Sequence, residues 1–162
     1  MIYQIRQAHE ADLPAILHIY ANARKFMADR GNAGQWGNNR PSVEQTKTDI
    51  LDRNLYVLTN QETVHGVFAM IPGDDPTYHK VHNGTWHHNL PYAAIHRVAG
   101  DGSGGVFDAL IRYALMRYSY IRIDTHENNI PMRRAIGRAG FLYCGTILTD
   151  DGTPRLAFDL KK

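Results

Sequence analysis

Between residues 92 and 117 the chain passes from a strand-like run, YAAIHRVA (92–99), through the glycine-rich turn GDGSGG (100–105) into an amphipathic helix. Phe107, Leu110, Ile111, Ala114, Leu115 and Tyr118 mark one face of that helix. Strand, glycine turn and helix in succession make an anion site. Backbone N–H groups at the helix start point outward, and the helix dipole adds partial positive charge. Glycine lets the backbone come close to a phosphate. The blander reading is a flexible turn that binds nothing. Gly100, Gly102 and Gly105 also spell G-x-G-x-x-G, with Asp124 ending the next strand where a ribose-binding acid would stand. That pattern carries the alternative of a dinucleotide-binding oxidoreductase. Its context argues against it: only 38 residues follow Asp124, and three strands precede the strand–turn–helix unit, two of them in a hairpin.

The remaining elements are predicted from periodicity and punctuation. Residues 2–7 read as a strand. Asp12 stands as N-cap, with Pro14 in the first turn of a helix carrying Leu13, Ile16, Leu17 and Tyr20 towards Met27. The run 31–40 (GNAGQWGNNR) reads as a loop. Ser42 and Gln45 form a capping box for a second helix to about Leu51. NLYVLT (54–59) and TVHGVFAMI (63–71) pair as a hairpin, and 72–91 is a long irregular connection. YIRIDT (120–125) alternates as a strand. Asn129 caps a short helix with Pro131 in its first turn, and Gly140 fits its left-handed stop. FLYCGTIL and RLAFDL close the chain as a hairpin about Asp150-Asp151-Gly152. The order is β-α-α-β-β-β-α-β-α-β-β.

With 162 residues the chain is long enough to bury one core without staples. A formal charge of +2 is too mild to point to nucleic acid. Arg133, Arg134 and Arg138 read as a solvated helix face or as neighbours of an anionic ligand. Cys144 is the only cysteine, which suits a reducing compartment. The N-terminus shows no signal-peptide pattern, and no apolar run approaches the roughly 20 residues of a membrane span. A cytoplasmic protein with no membrane or nucleic-acid partner is expected. Six of the nine histidines lie between His65 and His96. His79, His82, His87 and His88 lack the spacing of a zinc finger or H-E-x-x-H, so no metal is expected.

IRIDTHENNIPMRRAIGRAGFLYCGTI (121–147), with Asn129 twelve residues before Phe141, resembles the strand–Asn–helix–Gly–Phe–strand segment of the GNAT acetyltransferase superfamily. HRVAGDGSGGVFDALIRYA (96–114) resembles the strand and pyrophosphate loop before it, and the element order extends the resemblance over nearly the whole chain. The loop departs from the family's Gln/Arg-x-x-Gly-x-Gly/Ala pattern. It is shortened, Gly105 best matches the central glycine, and Phe107 stands where a small residue is usual. The cradle then depends on backbone amides, with no basic side chain helping.

The resemblance implies a mixed α/β (α+β) fold, a GNAT-like single domain over 1–162. Its central sheet would be twisted and mostly antiparallel, with a parallel, splayed strand pair (92–99 and 120–125) and flanking helices. It implies acetyl-CoA as acetyl donor. The pantetheine arm would bond backbone near Val98 and Ala99, the pyrophosphate would rest on Gly102, Ser103, Gly104, Gly105, Val106 and Phe107, and Asn129 would help hold the arm. The expected activity is direct transfer to a primary amine of a small molecule or peptide. A non-catalytic CoA-binding regulatory module is the alternative, and a homodimer through an exposed terminal strand is compatible with the pattern.

Such a transfer needs a neutral amine, a stabilised oxyanion and a proton for the departing thiolate. His96 and His126 are the candidate bases, with His96 favoured; each also reads as a histidine hydrogen-bonded at a strand end. Many relatives use a tyrosine of the late helix as general acid, and Ile136 occupies that position here. Tyr143, Cys144 or a water are the substitutes. Candidate acceptor-binding residues are Gln35, Trp36, Arg40 and Trp86, with Tyr78, His87 and His88.

Overall fold

The computed structural model describes residues 1–37 and 39–162. Its seven strands are β1 (Gln4–Gln7), β2 (Leu55–Asn60), β3 (Thr63–Pro72), β4 (Ala93–Gly100), β5 (Tyr120–Thr125), β6 (Leu142–Leu148) and β7 (Pro154–Lys161). They form one sheet in the order β1-β2-β3-β4-β5-β7-β6. Every pairing is antiparallel except β4 with β5. The helices are α1 (Leu13–Asp29), α2 (Ala33–Trp36), α3 (Val43–Leu51), α4 (Val106–Arg117) and α5 (Ile130–Arg138). No helix among the described residues is long and apolar enough to cross a membrane.

Strand alternation sorts the side chains onto two faces. Leu58, Phe68, Met70, Ile121 and Ile123 pack with Leu110, Ile111 and Ile136 from α4 and α5. Leu55, Val57, Val67 and Ala69 pack with Ile16, Ile19 and Tyr20 of α1 and with Trp36 of α2. A third cluster, with Tyr78, Tyr92, Tyr120, Cys144 and Ala157, lies where the 72–91 connection crosses the sheet. Gln61 and Glu62, at φ +49° and +67°, make the two-residue turn whose twist suits the β2–β3 hairpin.

Three expectations are corrected, and one alternative falls. Residues 33–36, read as loop, form one helical turn. Asp12 occupies the cap position of α1 but makes no cap bond there. Its carboxylate instead takes two bonds from Arg6 and one from the His9 N–H. Ser42 Oγ accepts from the Gln45 N–H at 2.9 Å, while the Gln45 amide turns to Asp49 rather than closing the box. The dinucleotide alternative fails on topology, because that fold needs a run of parallel strands and this sheet has one parallel pair. The mixed sheet with one parallel pair and flanking helices stands as expected. So does the end of α5, where Gly140 takes φ +95° and the Phe141 N–H reaches back to the Ile136 carbonyl.

Candidate active site

The β4–β5 ladder is short. Ala93, Ala94 and Ile95 pair with Ile121, Arg122 and Ile123, and the register ends there. Beyond it, β4 carries a bulge: Arg97 and Val98 together lie opposite Phe68 of β3. Bulges bend a strand and leave backbone groups unpaired, so β4 turns away and a wedge opens between the strands. Arg97 sits at φ +53°, a conformation that costs about 1 kcal/mol. It is held by two bonds from its guanidinium to buried Asp49, at 2.6 and 3.0 Å. The Tyr20 hydroxyl adds a bond to the Arg97 carbonyl at 3.0 Å.

The wedge is the floor of a cleft of about 750 Å³. Ile95, Val98, Ile123 and Thr125 form its base. Trp36, Arg40, Ser42 and Gln45 border one side, with Thr149, Asp150, Asp151 and Arg155 on another. His96 faces this space from β4. Its Nε2 lies 2.8 Å from Asp75 Oδ2, and its Nδ1 lies 3.7 Å from Asp124 Oδ2. The Tyr78 hydroxyl donates to the same Asp124 oxygen at 2.6 Å. Burial would raise the Asp75 carboxyl, but hydrogen bonds from His96 and Thr77 outweigh it and bring the group down to about 2. An ionised Asp75 requires His96 Nε2 to donate, so Nδ1 is the ring nitrogen left on the Asp124 side. Burial first, and then Asp124, push the Tyr78 hydroxyl well above its ordinary value, so it stays a neutral donor.

At the far end of β4 lies the glycine turn. Gly102 and Gly105 adopt φ +93° and +81°, and a side chain built at Gly102, Gly104 or Gly105 would meet no atom within 4 Å. The first capped bond of α4 runs from the Ala109 N–H to the Gly105 carbonyl. The N–H groups of Val106, Phe107 and Asp108 therefore have no partner inside the helix. The residues suit an anion: the approach is open and the donors are backbone amides.

The structure brings Gln35, Trp36, Arg40, His96, Val98 and Asn129 to one cleft. Ala99 is buried against the α1 side of the sheet. Asn129 is committed at both ends of its amide: its Oδ1 caps α5 at Met132 N, and its Nδ2 donates to Gln35 Oε1 at 3.1 Å. Gln35 Oε1 also accepts from Asn32 Nδ2 at 3.0 Å, so this pair ties α2 to the start of α5. Arg40 is exposed and lies 3.5 Å from Asp151.

Other candidates do not join His96. His126 Nδ1 accepts from the Asn128 N–H at 3.1 Å, as a turn-capping group. Tyr143 is exposed and packs on Phe158, in a shallow groove with Arg133 and Arg134. Cys144 is buried in the third cluster. Burial, with Asp159 alongside, pushes its thiol up to about 12. Trp86 packs on Tyr78 and donates to the Tyr78 carbonyl, with the Arg122 guanidinium over its ring. Ile136 is fully buried in the core under α5. His87, Cys144 and Asp159 place ligand-type atoms within 4.8 Å of one another. Hydrogen bonds join the three, and the Tyr120 hydroxyl adds another to Asp159.

Asp75, Tyr78 and Arg155 complete the His96 surroundings, and Asp75 was not singled out from sequence. Its signal is local: Asp-Pro-Thr, with the Asp75 carboxylate accepting from the Thr77 N–H and hydroxyl.

No protein-family model matches the chain, and none of the curated proteins does. Solved structures do. A GNAT-family acetyltransferase from Streptococcus agalactiae superposes with a TM-score of 0.91 at 27% identity, covering 99% of this chain and 95% of that one. A GNAT-family acetyltransferase from Bacillus cereus follows at TM-score 0.67 and 17% identity, covering 100% and 99%. YncA of Salmonella typhimurium, solved with its cofactor acetyl-CoA, gives TM-score 0.64 at 15% identity, covering 98% and 93%. All three share the fold over nearly their whole length, and the first does so with the highest TM-score and identity of the three. The chain thus has the fold of GNAT-family acetyltransferases over nearly its whole length.

Proposed function

We propose that this protein moves an acetyl group from acetyl-CoA directly to a primary amine of a small molecule. The observation that carries the reading is the wedge: β4 and β5 part after Ile95 and Ile123, His96 faces the opening, and the open glycine turn lies at the far end of β4. Acetyl-CoA supplies the activated acyl group. The N–H groups at the start of α4 would hold its pyrophosphate, and unpaired backbone of the Arg97–Val98 bulge would hold its amide arm as an added strand.

At the acceptor, His96 Nδ1 takes the proton from the attacking amine. Asp75 fixes the ring through Nε2, and Asp124 faces the nitrogen that gains the charge. Tyr78 holds Asp124 in place. Four carboxylates (Asp75, Asp124, Asp150 and Asp151) and three arginines (Arg40, Arg97 and Arg155) line the cleft with Thr77 and Thr149, which favours a polar acceptor. With Ile136 buried where relatives carry a tyrosine, the thiolate departs without that side chain as acid.

The first test is thermal unfolding with acetyl-CoA, CoA, NAD and flavin nucleotide side by side. A ligand at about 100 times its Kd adds roughly 2.7 kcal/mol. Stabilisation by the CoA pair alone is expected; stabilisation by a dinucleotide instead overturns the donor assignment. Thiol release with a panel of amines then follows. His96→Ala is expected to lower kcat about 100-fold or more, with CoA stabilisation retained. Stabilisation without turnover of any amine would identify a CoA-binding regulatory module.

A further inference from the structure

The glycine turn lacks a basic side chain of its own, and the fold supplies one from β3. His65 faces the turn with its side chain 15% exposed. Its carbonyl accepts from the Asp101 N–H at 2.9 Å. Its Nδ1 lies 2.7 Å from Asp101 Oδ2 and 3.2 Å from Ser103 Oγ. The other Asp101 oxygen accepts from the Ser103 N–H at 2.9 Å. From the N-terminal side, the Tyr3 hydroxyl donates to the Gly104 carbonyl at 2.7 Å. Burial would raise the Asp101 carboxyl, but the bonds from Ser103 and His65 outweigh it and lower the group, so it is an anion at neutral pH. His65 Nδ1 is then the donor in the pair.

A carboxylate in a turn that must receive a pyrophosphate is a liability, because like charges repel at close range. Here both Asp101 oxygens and the Gly104 carbonyl are engaged by partners. We propose that His65 is a positioning residue for the donor's pyrophosphate: it draws Asp101 back from the cradle and, through Asp101 and Ser103, fixes the turn that leads into the free N–H groups at the start of α4. This rests on the turn being the donor site, as argued above.

The test is calorimetric titration of wild type, His65→Ala and His65→Asn with CoA and with pantetheine, which lacks the nucleotide and pyrophosphate. His65→Ala should weaken CoA about tenfold, the equivalent of one charge-assisted hydrogen bond, and pantetheine by no more than about twofold. His65→Asn, whose amide can donate to Asp101, should recover most of the loss. Asp101→Ala placed in the His65→Ala background should also recover part of it, since the released carboxylate is then gone. If His65→Ala does not fold, Tyr3→Phe carries the same comparison, with a smaller loss confined to CoA. Unchanged CoA affinity, or an equal loss for both ligands, overturns the role of His65. A wild-type protein that binds pantetheine as tightly as CoA overturns the donor site itself.

Discussion

On the proposed donor side of the wedge, the groups free to meet a ligand are the backbone N–H groups at the start of α4. On the acceptor side they are side chains drawn from separate stretches: Asp75 from the long connection, His96 from β4, Asp124 from β5 and Arg155 from β7. A backbone cradle constrains conformation rather than identity. It requires left-handed residues at Gly102 and Gly105 and a free helix start, so the turn can be shortened and bear Phe107 without losing its chemistry. The acceptor side depends on each residue, because moving one carboxylate alters both the charge of the cleft and the tautomer of His96. On the proposed reading, the first kind of surface would recognise what all acyl donors of one class share, and the second would tell one acceptor from another.

Three substitutions press on that contrast. Gly84 lies in the connection that forms the acceptor wall, and a Cβ there would fall 2.0 Å from the Cys144 carbonyl oxygen. Gly84→Ala should cost about 3 kcal/mol in urea unfolding, yet leave the thermal shift with CoA in place; loss of that shift would show the two sides to be one unit. Asp75→Asn comes next. The wild-type carboxyl is held at about 2, below its ordinary ~3.9. Its contribution is therefore complete above pH ~4 and lost as the pH falls towards 2. The variant should be less stable by about 2 kcal/mol at pH 7, and the gap should close in acid. A gap that persists at pH ~2 would mean that packing, not charge, is what Asp75 supplies. The smallest effect is expected at Gly105, where a Cβ meets nothing but φ is +81°. Gly105→Ala should cost about 1 kcal/mol from the backbone alone, and should weaken CoA without altering the pH behaviour that Asp75 confers.

Element order was legible because apolar spacing and turn residues are local signals. Placement within the sheet was not. The closing hairpin is written in its Asp-Asp-Gly turn, but nothing local says that β7 inserts between β5 and β6. The register of β6 slips between Tyr143 and Gly145, which blurs the alternation that would tell which of Tyr143 and Cys144 faces inward. For the site, His96 was readable from its strand, since strand and cleft share an end. Asp75 was hidden because it belongs to a connection whose path depends on distant contacts. His65 was hidden for the same reason: β3 and the glycine turn meet only through the β3–β4 pairing.

That connection does not lie loosely on the sheet. His82 and Thr146 exchange backbone bonds at 2.7 and 2.9 Å, an isolated bridge on β6. Nearby, Tyr78, Tyr92 and Tyr120 bury their rings together beneath it. Lifting the acceptor wall would wet all three rings at once, so its opening is bound to the cooperative unfolding of the sheet edge rather than to a local fluctuation. An acceptor would then enter past the rim where Arg40 and Asp151 form an exposed ion pair.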